Sequence, residues 1–451
     1  MPWNRRRFFA ALTAAAAGGI AASSAKRAEA KEAVVSVRVS ATRYGVRPGS
    51  QRDQTRVLQR AIDAAAQRRA ILELPAGRYR TRTLNLPDGC IIQGVPYATV
   101  LESAGAGPLF RADRIGTLSL SNLVCDARHQ TIEDGSGIIA INRVSTAELD
   151  GLVMRRSTRC GIRIAESGGR ISNCAISDIV DAAIFAYNTD GLTIDGCAIS
   201  NCANNGIQVW TSEPRHDGAQ ITNNRIEGVR AEAGGTGQNG NGINIFRAGD
   251  VVLTGNQIAD CAYSAIRCNS ASNAQITANH VRRIGEVAIY AEFAFEGAVI
   301  ANNVIDSAAT GISVTNFNDG GRLAVVQGNL IRNLVRREDE PVDKRGVGIS
   351  VEADTAVTGN TVENAASVGL SIGWHRFMRD VVATGNVVRA ATIGIGVSGD
   401  RAAGNALVAS NLISGATQGG VRTMNGNTPF GPELTQTTPG DRISVHDNRV
   451  V

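Results

Sequence analysis

At 451 residues the chain is long enough for two or three ordinary domains, yet 4% aromatic residues beside 50 glycines suit many short strands and tight turns better than packed helices. The formal charge of +5 is misleading. Residues 1–30 hold five basic residues against one acidic, so taking these from 46 and 41 leaves 41 basic and 40 acidic residues, a balance that gives no case for a nucleic-acid or anionic-membrane partner.

The first segment reads Asn4-Arg5-Arg6-Arg7-Phe8-Phe9, then AALTAAAAGGIAA, then Lys26-Arg27 and the small-residue site Ala28-Glu29-Ala30. This resembles a twin-arginine signal peptide cleaved after Ala30. The resemblance implies passage through the twin-arginine translocase and a periplasmic or secreted protein. The apolar run is short against the roughly 20 strongly apolar residues of a spanning helix, so no stable membrane anchor is expected.

Residues 31–110 form an N-terminal cap region. Val57, Leu58, Ala61, Ile62 and Ala65 recur at helical spacing, with Ser50 or Asp53 placed to cap the N-terminus. Short strands separated by Pro-Gly turn signals follow: Leu72-Glu73-Leu74-Pro75-Ala76-Gly77-Arg78-Tyr79, then Leu84-Asn85-Leu86 and Cys90-Ile91-Ile92-Gln93-Gly94. With Tyr44-Gly45-Val46 ahead of the helix, this order of text resembles the pectate-lyase superfamily, the pectin lyase fold. The resemblance implies an all-β, single-stranded, right-handed parallel β-helix whose N-terminal end is plugged by the helix. An uncovered solenoid end would expose backbone donors and core.

Residues 111–451 are a repeat. ITNNRI at Ile221, LTGNQI at Leu253 and ITANHV at Ile276 are copies of one phrase, whose fourth position is Asn224, Asn256, Asn279, Asn303, Asn329, Asn360, Asn386, Asn411 and Asn448. A second phrase, a small residue then an aliphatic one, recurs from Gly137-Ile138 to Gly420-Val421 with a modal spacing of 23 residues. The two predict about 12–13 coils. Asparagines stacked at the spacing of neighbouring strands, about 4.8 Å, can bond along the column, so they mark a structural corner. From that corner to the next small residue the gap is usually nine residues; it is 18 after Asn224 and 19 after Asn329. Loops are therefore expected at Glu227–Asn241, which contains GGTGQNGNG, and at Arg332–Arg345. Further insertions fall near 212–218, 316–322, 374–380 and 425–441.

The eight cysteines include no CxxC pair and no zinc spacing, and read as buried packing residues. A disulfide between stacked Cys174 and Cys197 stays open, since they occupy one repeat position. GGTGQNGNG lacks a P-loop lysine and a following helix, so it reads as a flexible loop.

Chemistry is sought on the outward positions of the second phrase. Consecutive coils there carry Arg163, Phe185, Gln208, Asn244, Arg267, Tyr290 and Ser313, and just beyond them Tyr187, Trp210, Phe246, Arg247, Asn269 and Glu292. Aromatics mixed with amides and arginines suit a sugar polymer: apolar faces for rings, donors for hydroxyls or uronate carboxylates. Trp374 and His375 in a late insertion join this substrate-binding set. Asp190 lies in Asn188-Thr189-Asp190-Gly191, which resembles the first acidic motif of polygalacturonase-type hydrolases, although their paired DD, GHG and RIK are absent. Asp190 follows Ala183 by seven residues and Glu213 follows Gly206 by seven. Equal register would set their carboxylates roughly 5 to 6 Å apart, as an acid and base pair requires. A uronate lyase or epimerase would instead need a base and cations, which Tyr290, His216 or His375 and Arg247 or Arg267 could supply. The DPH motif of alginate epimerases and the paired calcium aspartates of many pectate lyases are absent, and no metal site is assigned.

The exported repeat as a whole also resembles a family of twin-arginine-exported repetitive proteins whose repeat has been suggested to bind a cofactor. No cofactor motif is identifiable. The expectation is thus a monomeric protein that binds, and by lyase or hydrolase chemistry acts on, a uronate-bearing polysaccharide, with catalytic candidates Asp190, Glu213, His216, Arg267 and Tyr290. The alternatives are a non-catalytic glycan-binding or envelope scaffold and a cofactor-binding repeat protein.

Overall fold

The computed structural model describes residues 37–235, 237–436 and 440–451; the expected signal peptide lies outside them. From Arg38 onward the chain winds as an all-β, right-handed parallel β-helix of about 14 turns. The excess over the expected 12–13 comes from the first rungs, such as Ile71–Glu73 and Cys90–Gln93, which precede the first small-aliphatic phrase.

Each turn contributes three strands to three faces. On the first face Gln220–Thr222 stacks in register on Val252–Thr254. On the second, Arg225–Val229 stacks on Gln257–Cys261. On the third, Asn205–His216 stacks on Asn241–Gly249. Pairing is parallel throughout the stack; an antiparallel hairpin joins Val421–Asn425 to Thr428–Glu433 near the C-terminus. Alternation along each strand sends every second side chain inward. Ile184, Ile207, Ile243, Ile266, Ile289, Ile312 and Ile349 form one such inward file, each at most 1% exposed.

The repeat phrase makes the corner between the first two faces. Its third residue turns the chain through the left-handed region, with φ of 56° at Asn223, 69° at Gly255, 58° at Asn302 and 65° at Gly328. That conformation explains the preference for Gly and Asn there. The asparagine that follows is buried, and each links its neighbours: Asn256 Nδ2 donates to the carbonyl of Ile221 and to Oδ1 of Asn279, whose Oδ1 also accepts the Asn256 backbone N–H. The same bonds run from Asn224 to Asn448. Polar groups that a tight buried corner would orphan are thus paired.

The expected helix is Thr55–Gln67, with Leu58, Ala61, Ile62 and Ala65 buried. Asp53, not Ser50, serves its start, accepting the Thr55 N–H at 2.9 Å, while the Ser50 hydroxyl accepts the Arg52 N–H instead. Gln59 exchanges two hydrogen bonds with the backbone of Asn85, so a side chain stands in for the strand missing at that edge. All eight cysteines are buried free thiols. The Cys174 thiol is pushed well above its ordinary range by its hydrogen bond to Cys197 and by burial.

Candidate functional site

The third face carries the outward column in the expected order. Arg163 pairs with Phe185, Phe185 with Gln208, Gln208 with Asn244, Asn244 with Arg267, Arg267 with Tyr290, and Tyr290 with Ser313. The adjoining file runs Tyr187, Trp210, Phe246, Asn269 and Glu292. The aromatics pack edge to face: ring centroids lie 5.4 Å apart for Phe185 and Trp210 and 5.7 Å for Trp210 and Phe246, and the side chains are half-buried. Arg247 lies over Phe246 at 4.7 Å and donates to the Ser212 carbonyl at 2.7 Å.

The face is not evenly open. Gln208, Asn244, Arg267, Tyr290 and Glu292 are all buried, because the long loops fold over them. The glycine-rich loop is a cover rather than a free segment: the Gln238 carbonyl accepts Nδ2 of Asn205 at 3.0 Å and of Asn244 at 3.1 Å. Gly237 lies so close to the Arg267 guanidinium that an added Cβ would sit 2.1 Å from Nη1. Between this loop and the aromatic file is a cleft of about 310 Å³, lined by Trp210, Gly237, Gln238, Asn244, Phe246, Arg267, Asn269 and Phe293.

A second cavity, of about 170 Å³, opens on the C-terminal side of Tyr290. Its walls come from both sides of the face: Asp343 and Lys344 from the second long loop, Asn316 and Asn318 from one insertion, Trp374 and Phe377 from another, with Tyr290, Ser313, Thr315, Ser350 and Glu352 as floor. Charge is concentrated between the two spaces. Arg267 Nε donates to Glu292 Oε1 at 2.6 Å, Asn269 Nδ2 reaches the same oxygen at 3.1 Å, and Lys344 is paired with Glu286. Arg267 and Lys344 each lie 5.2 Å from the centre of the Tyr290 ring.

Burial sets the acid strengths here. It pushes the Tyr290 phenol up to about 12 and raises the Glu292 carboxyl against the opposing charge of Arg267. Burial pulls Lys344 down, but Tyr290 and Glu286 outweigh it and its ammonium is held above the ordinary range. Glu352 is raised by burial to about 7, although its Oε2 accepts the Phe317 N–H at 2.7 Å. A carboxyl poised near neutrality can exchange protons in either direction.

Sequence reasoning missed Glu352, Lys344 and Glu286. A signal for the first was present, since Ala288-Ile289-Tyr290-Ala291-Glu292 and Gly348-Ile349-Ser350-Val351-Glu352 share a register. The expected pairing of Asp190 with Glu213 does not form. The register shifts between Trp210 and Arg215, carrying Glu213 out of line, and the residue beside the Asp190 turn is Asp217, whose carbonyl accepts the Gly191 N–H at 2.7 Å. Asp190 and Glu213 are both exposed. His216 is also exposed, bonded through Nδ1 to Asp250 at 2.7 Å. Trp374 reaches the second cavity, whereas His375 is exposed with its ring 5.0 Å from that of Trp374.

The family model described as "Right handed beta helix region" matches residues 214–386, and that described as "Periplasmic copper-binding protein (NosD)" matches residues 112–282. No curated protein sequence matches the chain. Among solved structures, the N-terminal fragment of bacteriophage phi29 gene product 12 is similar over 91% of this chain and 72% of its own, at 14% identity and a TM-score of 0.54. The catalytic unit of the GH87 alpha-1,3-glucanase of Streptomyces thermodiastaticus is similar over 93% and 69%, at 16% identity and 0.50. The A-module of the mannuronan C-5 epimerase AlgE6 of Azotobacter vinelandii is similar over 83% and 98%, at 14% and 0.50. These likenesses and the stacked parallel faces agree: the chain is a right-handed parallel β-helix protein.

Proposed function

We propose that the protein is an exported enzyme that binds a uronate-bearing polysaccharide along its third face and cleaves it by β-elimination in the cavity at Tyr290, Lys344 and Glu352. The observation that carries this reading is Glu352, a buried carboxyl raised to about 7 that shares a small polar cavity with a buried phenol and a lysine. As a carboxylate it takes the proton from the carbon next to the uronate carboxyl. Lys344, with Arg267 behind it, offsets the negative charge that builds on that carboxyl group. The electron pair of the broken C–H bond becomes the new double bond as the bond to the glycosidic oxygen breaks. Tyr290, protonated throughout the neutral range, supplies the proton that oxygen needs. Trp210 and Phe246 offer apolar edges for neighbouring sugar rings.

Two structures of this fold are described as a glucanase and a mannuronan epimerase, which accords with a glycan substrate. The signal-like N-terminus and the periplasmic description of the NosD model support export. Among the described residues no helix is long and apolar enough to cross a membrane. The copper named for the NosD model finds no grouping of three or more His, Cys, Asp or Glu placed to hold a metal ion among the described residues, so no step is routed through it.

The test is to incubate the protein with a panel of uronans and neutral glucans, measuring unsaturated products and new reducing ends separately. Equal yields of both from a uronan are expected. Reducing ends without unsaturation would replace elimination by hydrolysis; binding with neither product would leave a scaffold; no glycan binding would end the reading.

A further inference from the structure

Four rungs toward the N-terminus from Arg267, roughly 19 Å at strand spacing, the same column carries Arg163. Its guanidinium lies 4.4 Å from the centre of the Phe185 ring and 5.4 Å from that of Tyr187. Nη1 donates to the Ile164 carbonyl at 3.0 Å, and Nε is buried with no hydrogen-bond partner. Most arginines nearby are paired with acids: Arg111 with Glu133, Arg114 and Arg143 with Asp113, and Arg159 with Asp134. Among the described residues, Arg163 forms no ion pair with a carboxylate. A cation taken partly out of water with no counter-charge is costly unless an anion arrives from outside.

The space in front of it is suited to one. Arg163 lines a cavity of about 340 Å³ together with Arg111, Asp113, Asn142 and Arg143; Arg111 and Arg143 are already paired, with Glu133 and Asp113, which leaves Arg163 as the lining arginine without a carboxylate partner among the described residues. Arg163 also adjoins the aromatic file, through Phe185 and Tyr187 to Trp210 and Phe246, that leads to the proposed reaction cavity. Resting on the function proposed above, we infer that Arg163 forms a distal oxyanion subsite, which holds a carboxylate or sulfate on a sugar several units from the cleaved bond. The polymer then lies along the helix axis with one acidic group at Arg163 and another at Lys344 and Arg267. The protein thereby selects chains that are both acidic and long enough to span the two positions.

The subsite is tested by calorimetric titration of the full protein and of its Arg163→Gln and Arg163→Lys variants. The probes are short and long uronate oligosaccharides, a sulfated glycan of the longer length, and a neutral glucan of that length. For the long acidic probes, Arg163→Gln should weaken binding about tenfold at low salt, Arg163→Lys should restore part of it, and added salt should shrink the difference. Short probes should bind all three proteins alike. A preference between the long uronate and the long sulfated probe would identify the group held. Unchanged binding of the long acidic probes by Arg163→Gln, while Trp210→Ala loses it, would overturn the subsite and leave the glycan reading intact. Failure of the wild-type protein to bind any acidic probe would overturn both.

Discussion

The tightest constraint falls on two adjacent residues of each turn, one in the left-handed region and the asparagine after it. Ala278 is one exception, beside Ser410 and Asp447, that tests the first. It holds φ of 56° where its counterparts are mostly Gly or Asn, at a cost of roughly 1–2 kcal/mol per L-residue. Ala278→Gly should raise stability by about 0.5–1 kcal/mol after the greater chain entropy of glycine is allowed for, as read by urea denaturation. For the second, Asn279→Ala should cost about 2–4 kcal/mol, because it leaves buried donors and acceptors of Asn256 and the adjoining turns unpaired. Asn448→Ala, at the half-exposed end of the column, should cost about 1 kcal/mol or less. This column was legible in the sequence because each turn must solve the same corner, so one residue type recurs at a spacing that survives insertions. The Glu352 cavity was not legible in that way, since it is assembled from single residues on several turns and from loops whose lengths differ.

At the scale of elements, the interrupted corners supply loops that wall the two cavities. Sequence spacing located both long loops but gave no indication that they fold inward, which depends on Gln238 meeting Asn205 and Asn244, and on Lys344 meeting Glu286. Spacing also misled: Asp190 and Glu213 share an offset from their phrases, yet the bulge after Trp210 separates them. The cavity should report itself through pH. Glu352 binds its proton more tightly folded, at about 7, than at its ordinary 4.5. Its contribution to stability is therefore complete below about 4.5 and is lost as the pH rises through 7. Glu352→Gln should remove this slope, making the variant more stable than wild type at pH 8 by on the order of 3 kcal/mol at most, with little difference below pH 4.5; urea denaturation at the two pH values checks it. Lys344→Met should lower turnover of a uronan by at least about tenfold, since it removes a cation from the cavity and leaves Glu286 without that partner.

From Arg38 onward, three faces of in-register strands stack turn upon turn, and the proposed function uses what one face and its loops present. The stacked coil was readable from the two phrases and their modal period of 23 residues, and the capping helix from its apolar spacing. The first rungs were undercounted because their text lacks the later phrases. Along the third face, guanidinium, aromatic cleft and polar cavity follow one another from Arg163 to Glu352. On the proposed function, that order lets a polymer lie along the third face and be cleaved at one place. The measurement that tests this most directly is the pH dependence of kcat/KM on a uronan, followed by unsaturated product, for wild type and Glu352→Gln. Activity in the wild type should rise through a pH of about 7, and the variant should lose it by at least about a hundredfold while its thermal unfolding at pH 4 is unchanged. A variant that keeps wild-type activity, or a wild-type protein that forms no unsaturated product at any pH, would contradict the account.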